Sequence, residues 1–223
     1  MTPMVRWLPA LLAVMATALT GCTSAVQGSP TWPGERLERV LLSSADFPAG
    51  VQFDRIIENP GEPDGTGAPP AMLSDPPGCS EGFTKVITAS AERGAGSAAK
   101  YTVSYDGART LVTVLSWPLD MEGLDATAQR CASFATYFDR NAAPIPMTTE
   151  RLDTERPDAL VYQQTMDLAG AQSSVWFSFE NVDSMAVFAV AFPTANPSIP
   201  VKATLPQTFL DVTGKQAQRL RTP

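Results

Sequence analysis

Residues 160 to 192 read LVYQQTMDLAGAQSSVWFSFENVDSMAVFAVAF. Three candidate strands lie in this stretch, Leu160 to Leu168, Val175 to Asn181 and Met185 to Phe192, joined by short polar turns. In the second, Val175, Phe177 and Phe179 alternate with Trp176, Ser178 and Glu180, the period of two expected of a half-buried strand. The third is apolar at every position yet far too short to span a membrane. It predicts a central strand covered on both faces. Consecutive strands joined by such short turns pair antiparallel, because a parallel pair needs a long crossover.

Working outward, Met147 to Asp153 adds a fourth strand to this run. Upstream, Tyr101, Val103 and Tyr105 alternate with Thr102 and Ser104, and Asp106-Gly107 supplies the turn of a hairpin that returns through Leu111 to Trp117. Between hairpin and strand run, Leu124, Ala128, Cys131, Ala135 and Phe138 step by four, three, four and three, which predicts one helix from Met121 to Phe138 with Cys131 on its inner stripe. A first helix follows Pro33 through Leu37, Val40 and Leu41, and a strand follows through Val51, Phe53 and Ile56-Ile57. From Asn59 to Gly78 six prolines and four glycines mark a long loop. A short helix runs through Phe83, Val86 and Ile87 to the break at Gly94. Lys202 to Leu220 closes the chain as a helix, with Leu205, Phe209 and Val212 inward and Gln216, Arg219 and Arg221 solvated. The expected fold is α+β: a mainly antiparallel sheet of six or seven strands with covering helices, in a single domain over residues 33–223.

The first residues stand apart from that domain. Arg6 is followed by an apolar run from Leu8 to Leu19, the length of a signal-peptide core. It ends in Leu19-Thr20-Gly21-Cys22, which matches the lipobox of bacterial lipoproteins. On this reading residues 1–21 are a signal peptide and Cys22 carries the lipid. Residues 22–32 then tether the domain to the extracytoplasmic face of the cell membrane, since two acyl chains make a stable anchor. Loss of Arg6 leaves fifteen basic against twenty-three acidic residues, a net charge of −8. That balance speaks against nucleic-acid partners. Export also bears on Cys79 and Cys131, the two cysteines left once Cys22 is lipidated. In an oxidising compartment they are expected to pair, the alternative being two separate buried thiols. A bridge over a loop of that size is worth about 4 kcal/mol on a chain-entropy estimate.

The lipobox at Cys22, the segment Leu41-Leu42-Ser43-Ser44-Ala45-Asp46-Phe47-Pro48, the run Pro76-Pro77-Gly78-Cys79 and the helix-borne Cys131 together resemble mycobacterial cell-envelope lipoproteins of uncharacterised function. More loosely, the element order is similar to the extracellular sensor domain of a mycobacterial membrane serine/threonine kinase. Those sensor domains carry two disulfides, where this chain can form one. The resemblance implies a ligand-binding or sensing module and names no active-site residue.

Chemistry is constrained most by what the chain lacks. It contains no histidine, which removes Ser-His-Asp and Cys-His nucleophile systems and ordinary zinc sites. No cofactor or metal motif occurs. Ser97-Ala98-Ala99-Lys100 fits the Ser-x-x-Lys pair of penicillin-recognising enzymes, but lies between a glycine-broken loop and a strand and not on a helical turn. The pairs Glu62 with Asp64 and Asp153 with Glu155 could serve a carboxylate-dependent, glycan-directed hydrolase, and read more simply as solvated acids. The aromatics Tyr101, Tyr105, Trp117, Trp176, Phe177, Phe179, Phe188 and Phe192 fall on predicted strands. They form either a core or the lining of a pocket for an apolar small molecule. The leading expectation is a lipid-anchored binding module whose partner is such a molecule or an envelope protein. An envelope hydrolase is the alternative.

Overall fold

A computed structural model describes residues 33–57, 72–91, 96–139 and 141–222. The expected signal peptide, Cys22, the expected tether and most of the Pro/Gly-rich segment therefore lie outside the described residues. Nine strands form one sheet: β1 (Gln52–Ile56), β2 (Leu73–Asp75), β3 (Ala98–Tyr105), β4 (Ala108–Leu115), β5 (Ser133–Tyr137), β6 (Ile145–Arg151), β7 (Ala159–Leu168), β8 (Ala171–Val182) and β9 (Met185–Phe192). Their spatial order is β1-β3-β4-β9-β8-β7-β6-β5-β2, and every neighbouring pair is antiparallel. The fold class stands as α+β, with more strands than the six or seven expected.

Four helices cover the sheet: α1 (Pro33–Val40), α2 (Gly82–Ala91), α3 (Met121–Arg130) and α4 (Gln207–Arg221). Alternation along the strands divides the core in two. Tyr101, Val112, Val161, Val187 and Ala189 pack with Leu37, Phe209 and Val212 under α1 and α4. Leu115, Leu160, Tyr162, Phe179 and Ala186 pack with Phe83 and Leu124 under α2 and α3. Met185 to Phe192 is thus an interior strand, and its uniform apolarity follows from sending side chains into both clusters.

Several expectations are corrected. The helix predicted from Met121 to Phe138 ends at Arg130, and Ser133–Tyr137 continues as β5 between β6 and β2. Residues 133–137 also alternate with a period of two, burying Phe134 and Thr136. The short window fits either period, and the ladders offered by two neighbouring strands decide it. Phe138 is consequently 72% exposed and not on an inner stripe. Inside the segment predicted as loop, Leu73–Asp75 forms the edge strand β2 on β5, too short to show a pattern of its own. The return strand of the hairpin stops at Leu115 and not at Trp117. The closing helix begins at Gln207, because Pro206, its N-cap, lacks the N–H that would carry a helical turn on from Lys202.

Two polar side chains also lie opposite to expectation. Gln216 is fully buried, sharing the α4 stripe of Phe209 and Val212. Its Nε2 donates to the Val40 carbonyl at 2.8 Å and its Oε1 accepts from the Leu42 N–H at 3.2 Å, closing the end of α1. Glu180 is 1% exposed, because the face of β8 it occupies is covered by α4. Arg156 Nη1 lies 3.0 Å from its Oε2, and Arg221 donates to its Oε1. Burial lowers the Arg156 pKa, and the Glu180 charge opposes that shift.

Candidate functional cleft

A cleft of about 470 Å³ opens where the first turns of α3 meet the lower ends of β6, β7 and β8. Met121, Glu122 and Asp125 come from α3, Arg151 from the end of β6, Asp158 and Leu160 from the start of β7, and Asn181 from β8. The helix is held in place by two devices. Asp120 caps it, accepting the Gly123 N–H at 2.9 Å. A Cβ at Gly123 would meet Asp120 Oδ2 at 2.3 Å, so a side chain there would push the cap carboxylate aside. Asn181 clamps the preceding loop, accepting from the Leu119 N–H at 2.8 Å and donating to its carbonyl at 3.0 Å.

Asp125 is the best-connected group of the cleft. Its Oδ1 accepts from the Tyr162 hydroxyl at 2.6 Å and from Arg151 Nη1 at 3.2 Å, and its Oδ2 from Gln129 Nε2 at 2.7 Å. The Tyr162 bond, opposed by burial and helped by Gln129 and Arg151, holds the Asp125 carboxyl below the usual carboxylate range. Burial and then the Asp125 carboxylate push the Tyr162 hydroxyl up, so it stays protonated and donating at any ordinary pH. The result is a fixed anion beside a half-exposed guanidinium. Such an arrangement recognises polar groups, and it drives Asp125 in the wrong direction for a general acid. Asp125 falls within the helix expected from sequence, where nothing gave it a role. Its signal is the Asp125–Gln129 spacing of four, and only the fold brings Arg151 and Tyr162 to it.

The residues singled out in the sequence are not brought together. Cys22, Glu62 and Asp64 lie outside the described residues. Cys79 and Cys131 form a disulfide with Cα atoms 5.5 Å apart, and Cys131 is the C-cap of α3. Ser97 precedes β3 and Lys100 lies within it, three residues apart on extended chain, which sends them to opposite faces. Asp153 and Glu155 are exposed between β6 and β7. Among the eight aromatics, Tyr101, Tyr105 and Trp176 belong to the core under α1 and α4. Trp117, Phe177, Phe179 and Phe188 belong to the one under α2 and α3. Phe179 stacks on Phe188 with centroids 5.5 Å apart, and Phe83 of α2 closes on Tyr162, Phe177 and Phe179. The aromatic cluster is core, with Phe192 alone 36% exposed. Among the described residues no group of three His, Cys, Asp or Glu is placed to hold a metal, and no helix is long and apolar enough to cross a membrane.

No family model matches this chain, and no curated protein matches it. A solved structure of an uncharacterised protein from Mycobacterium smegmatis, an Rv0999 ortholog, aligns over 85% of this chain and 96% of that one. The two are 13% identical, with a TM-score of 0.48. A likeness at that level carries neither fold nor function across.

Proposed function

We propose that this chain is a lipoprotein of the cell envelope, anchored through Cys22 to the extracytoplasmic face of the membrane, whose domain binds or senses a polar ligand there. The observation that carries the binding role is the state of Asp125: a carboxylate kept ionised by three donors, one of them the Arg151 guanidinium, on the wall of an open cleft. A site of fixed charges and directed hydrogen bonds selects a ligand without moving protons. The Cys79–Cys131 bridge fits an oxidising compartment. The loose likeness to the sensor domain of a mycobacterial membrane serine/threonine kinase supports sensing as the use of that binding.

Native mass spectrometry of the protein purified from its own membrane tests this reading. The expected result is a co-purified ligand whose occupancy falls in Asp125→Ala. Glu122, Asp125 and Asp158 together also offer the carboxylates that a glycan hydrolase would need. Turnover of a glycan substrate that vanishes when one of these acids becomes its amide, with folding intact, would replace binding by hydrolysis.

A further inference from the structure

Among the described residues, the face of the sheet toward α2 and α3 is not covered along its whole length. The helices close the lower rows, where Phe83 and Leu124 pack on Leu160, Tyr162 and Phe179. Above them the registers place a second set of side chains on the same face. Leu111, Val190 and Phe177 form one row, and Arg109 sits opposite Phe192 in the next. Val175 stands opposite Gln164, and Met166 and Leu168 follow two and four residues further along β7. Leu111, Val175, Val190 and Met166 are only half-buried, Phe192 is 36% exposed and Leu168 49%. Across three strand spacings this is a strip about 14 Å wide. Gln164 and Ser173 share this face with those side chains, and apolar side chains left open to solvent in one neighbourhood offer hydrocarbon a place to dock.

The chemistry of the strip identifies its occupant. No charged group interrupts Leu111, Val190, Phe192, Val175, Met166 and Leu168, and the Met166 thioether adapts to a flexible partner. At one border, beside Phe192, stands Arg109, exposed, its guanidinium with no hydrogen bond or ion pair among the described residues. A chain carrying more acid than base thus places a lone guanidinium next to an apolar strip. We propose that this surface binds a single-chain anionic amphiphile of the fatty-acid type, with its hydrocarbon chain along the strip and its carboxylate on Arg109. This goes beyond the polar cleft at Asp125 and shares no residue with it.

Photolabelling in isolated membranes carrying the full lipidated chain tests the proposal with a diazirine-bearing palmitate as probe. The expected result is label on peptides of β4, β7, β8 and β9. Arg109→Gln should lower it about threefold, the scale of one exposed charge pair, while leaving labelling by the matching uncharged alcohol unchanged. Leu168→Glu should abolish both. Both side chains are exposed, and an intact Cys79–Cys131 bridge on non-reducing gels verifies folding. Absence of label on these strands, or label indifferent to both substitutions, overturns the proposal. So does equal labelling of the same peptides by a diazirine-bearing phosphatidylcholine of the bilayer, which would make the strip a membrane-resting face. Failure of the anchor is read separately, as absence of the chain from the membrane fraction before any probe is added, and failure of the cleft as indifference of its ligand to Asp125→Ala.

Discussion

At the scale of single residues, polar side chains hold this fold together in places where apolar ones would be expected. Gln216 replaces the water that would otherwise satisfy the end of α1, and it does so from a fully buried position. In Gln216→Leu the Val40 carbonyl and the Leu42 N–H lose their partner, at about 1–3 kcal/mol for each buried group left unsatisfied. The midpoint of urea unfolding should drop accordingly, with the slope unchanged. Asp125 makes a different kind of prediction. Its folded pKa is depressed, so the stability it contributes is fully present above the unfolded carboxylate value of about 3.9 and is lost as pH falls through the lower folded value. Tyr162→Phe removes the largest cause of the depression. In that variant the Asp125 carboxyl, followed by NMR titration, should shift upward; an unchanged value would mean that Arg151 and Gln129 hold the charge by themselves.

At the scale of elements, most of the sheet is legible in the alternation of its strands, and so is the hairpin at Asp106-Gly107. What is not legible has a common cause, since β2 and β5 are three and five residues long. Elements so short carry no reliable period, and each exists because a neighbouring strand completes its hydrogen bonds. The buried positions of Gln216 and Glu180 were hidden for a related reason. A polar residue reads as solvated until its partners, here 174 residues away in the case of Leu42, are known. The cleft shares this property: its Asp125–Arg151–Tyr162 contacts join α3 to two later strands. The disulfide, by contrast, is legible in the cysteine count taken together with the expected export. It ties the loop after β2 to the end of α3, and Arg130 on that last helical turn also donates to the Pro77 carbonyl at 3.2 Å. Replacing both cysteines by serine should destabilise the domain by about 2–4 kcal/mol, read as a lower melting midpoint. Peptide mapping without reductant should recover the Cys79 and Cys131 peptides joined.

At the scale of the whole molecule, the domain has one consistent logic: each sheet face carries a helix pair, fully over one core and partly over the other, and ionic contacts tie α4 to its surroundings. Asp46 accepts from Arg219 of α4 at 2.7 Å, and Glu180 of β8 draws Arg156 and Arg221 toward one buried carboxylate. The proposed placement of this domain in the cell rests on residues before Pro33. The proposed anchor rests on Leu19-Thr20-Gly21-Cys22 at the end of an apolar run. Its thiol would carry the lipid, and an acidic balance gives little electrostatic attraction to anionic lipid. On that proposal Cys22 alone decides between a membrane-bound and an unanchored state. Cys22→Ala should abolish lipid incorporation, and the chain should accumulate unprocessed or be released, while the Cys79–Cys131 bridge still forms because it involves neither the lipid nor the tether. Membrane fractionation with mass spectrometry of the N-terminal peptide measures this. An acylated, membrane-bound Cys22→Ala chain would show that some other residue holds the anchor.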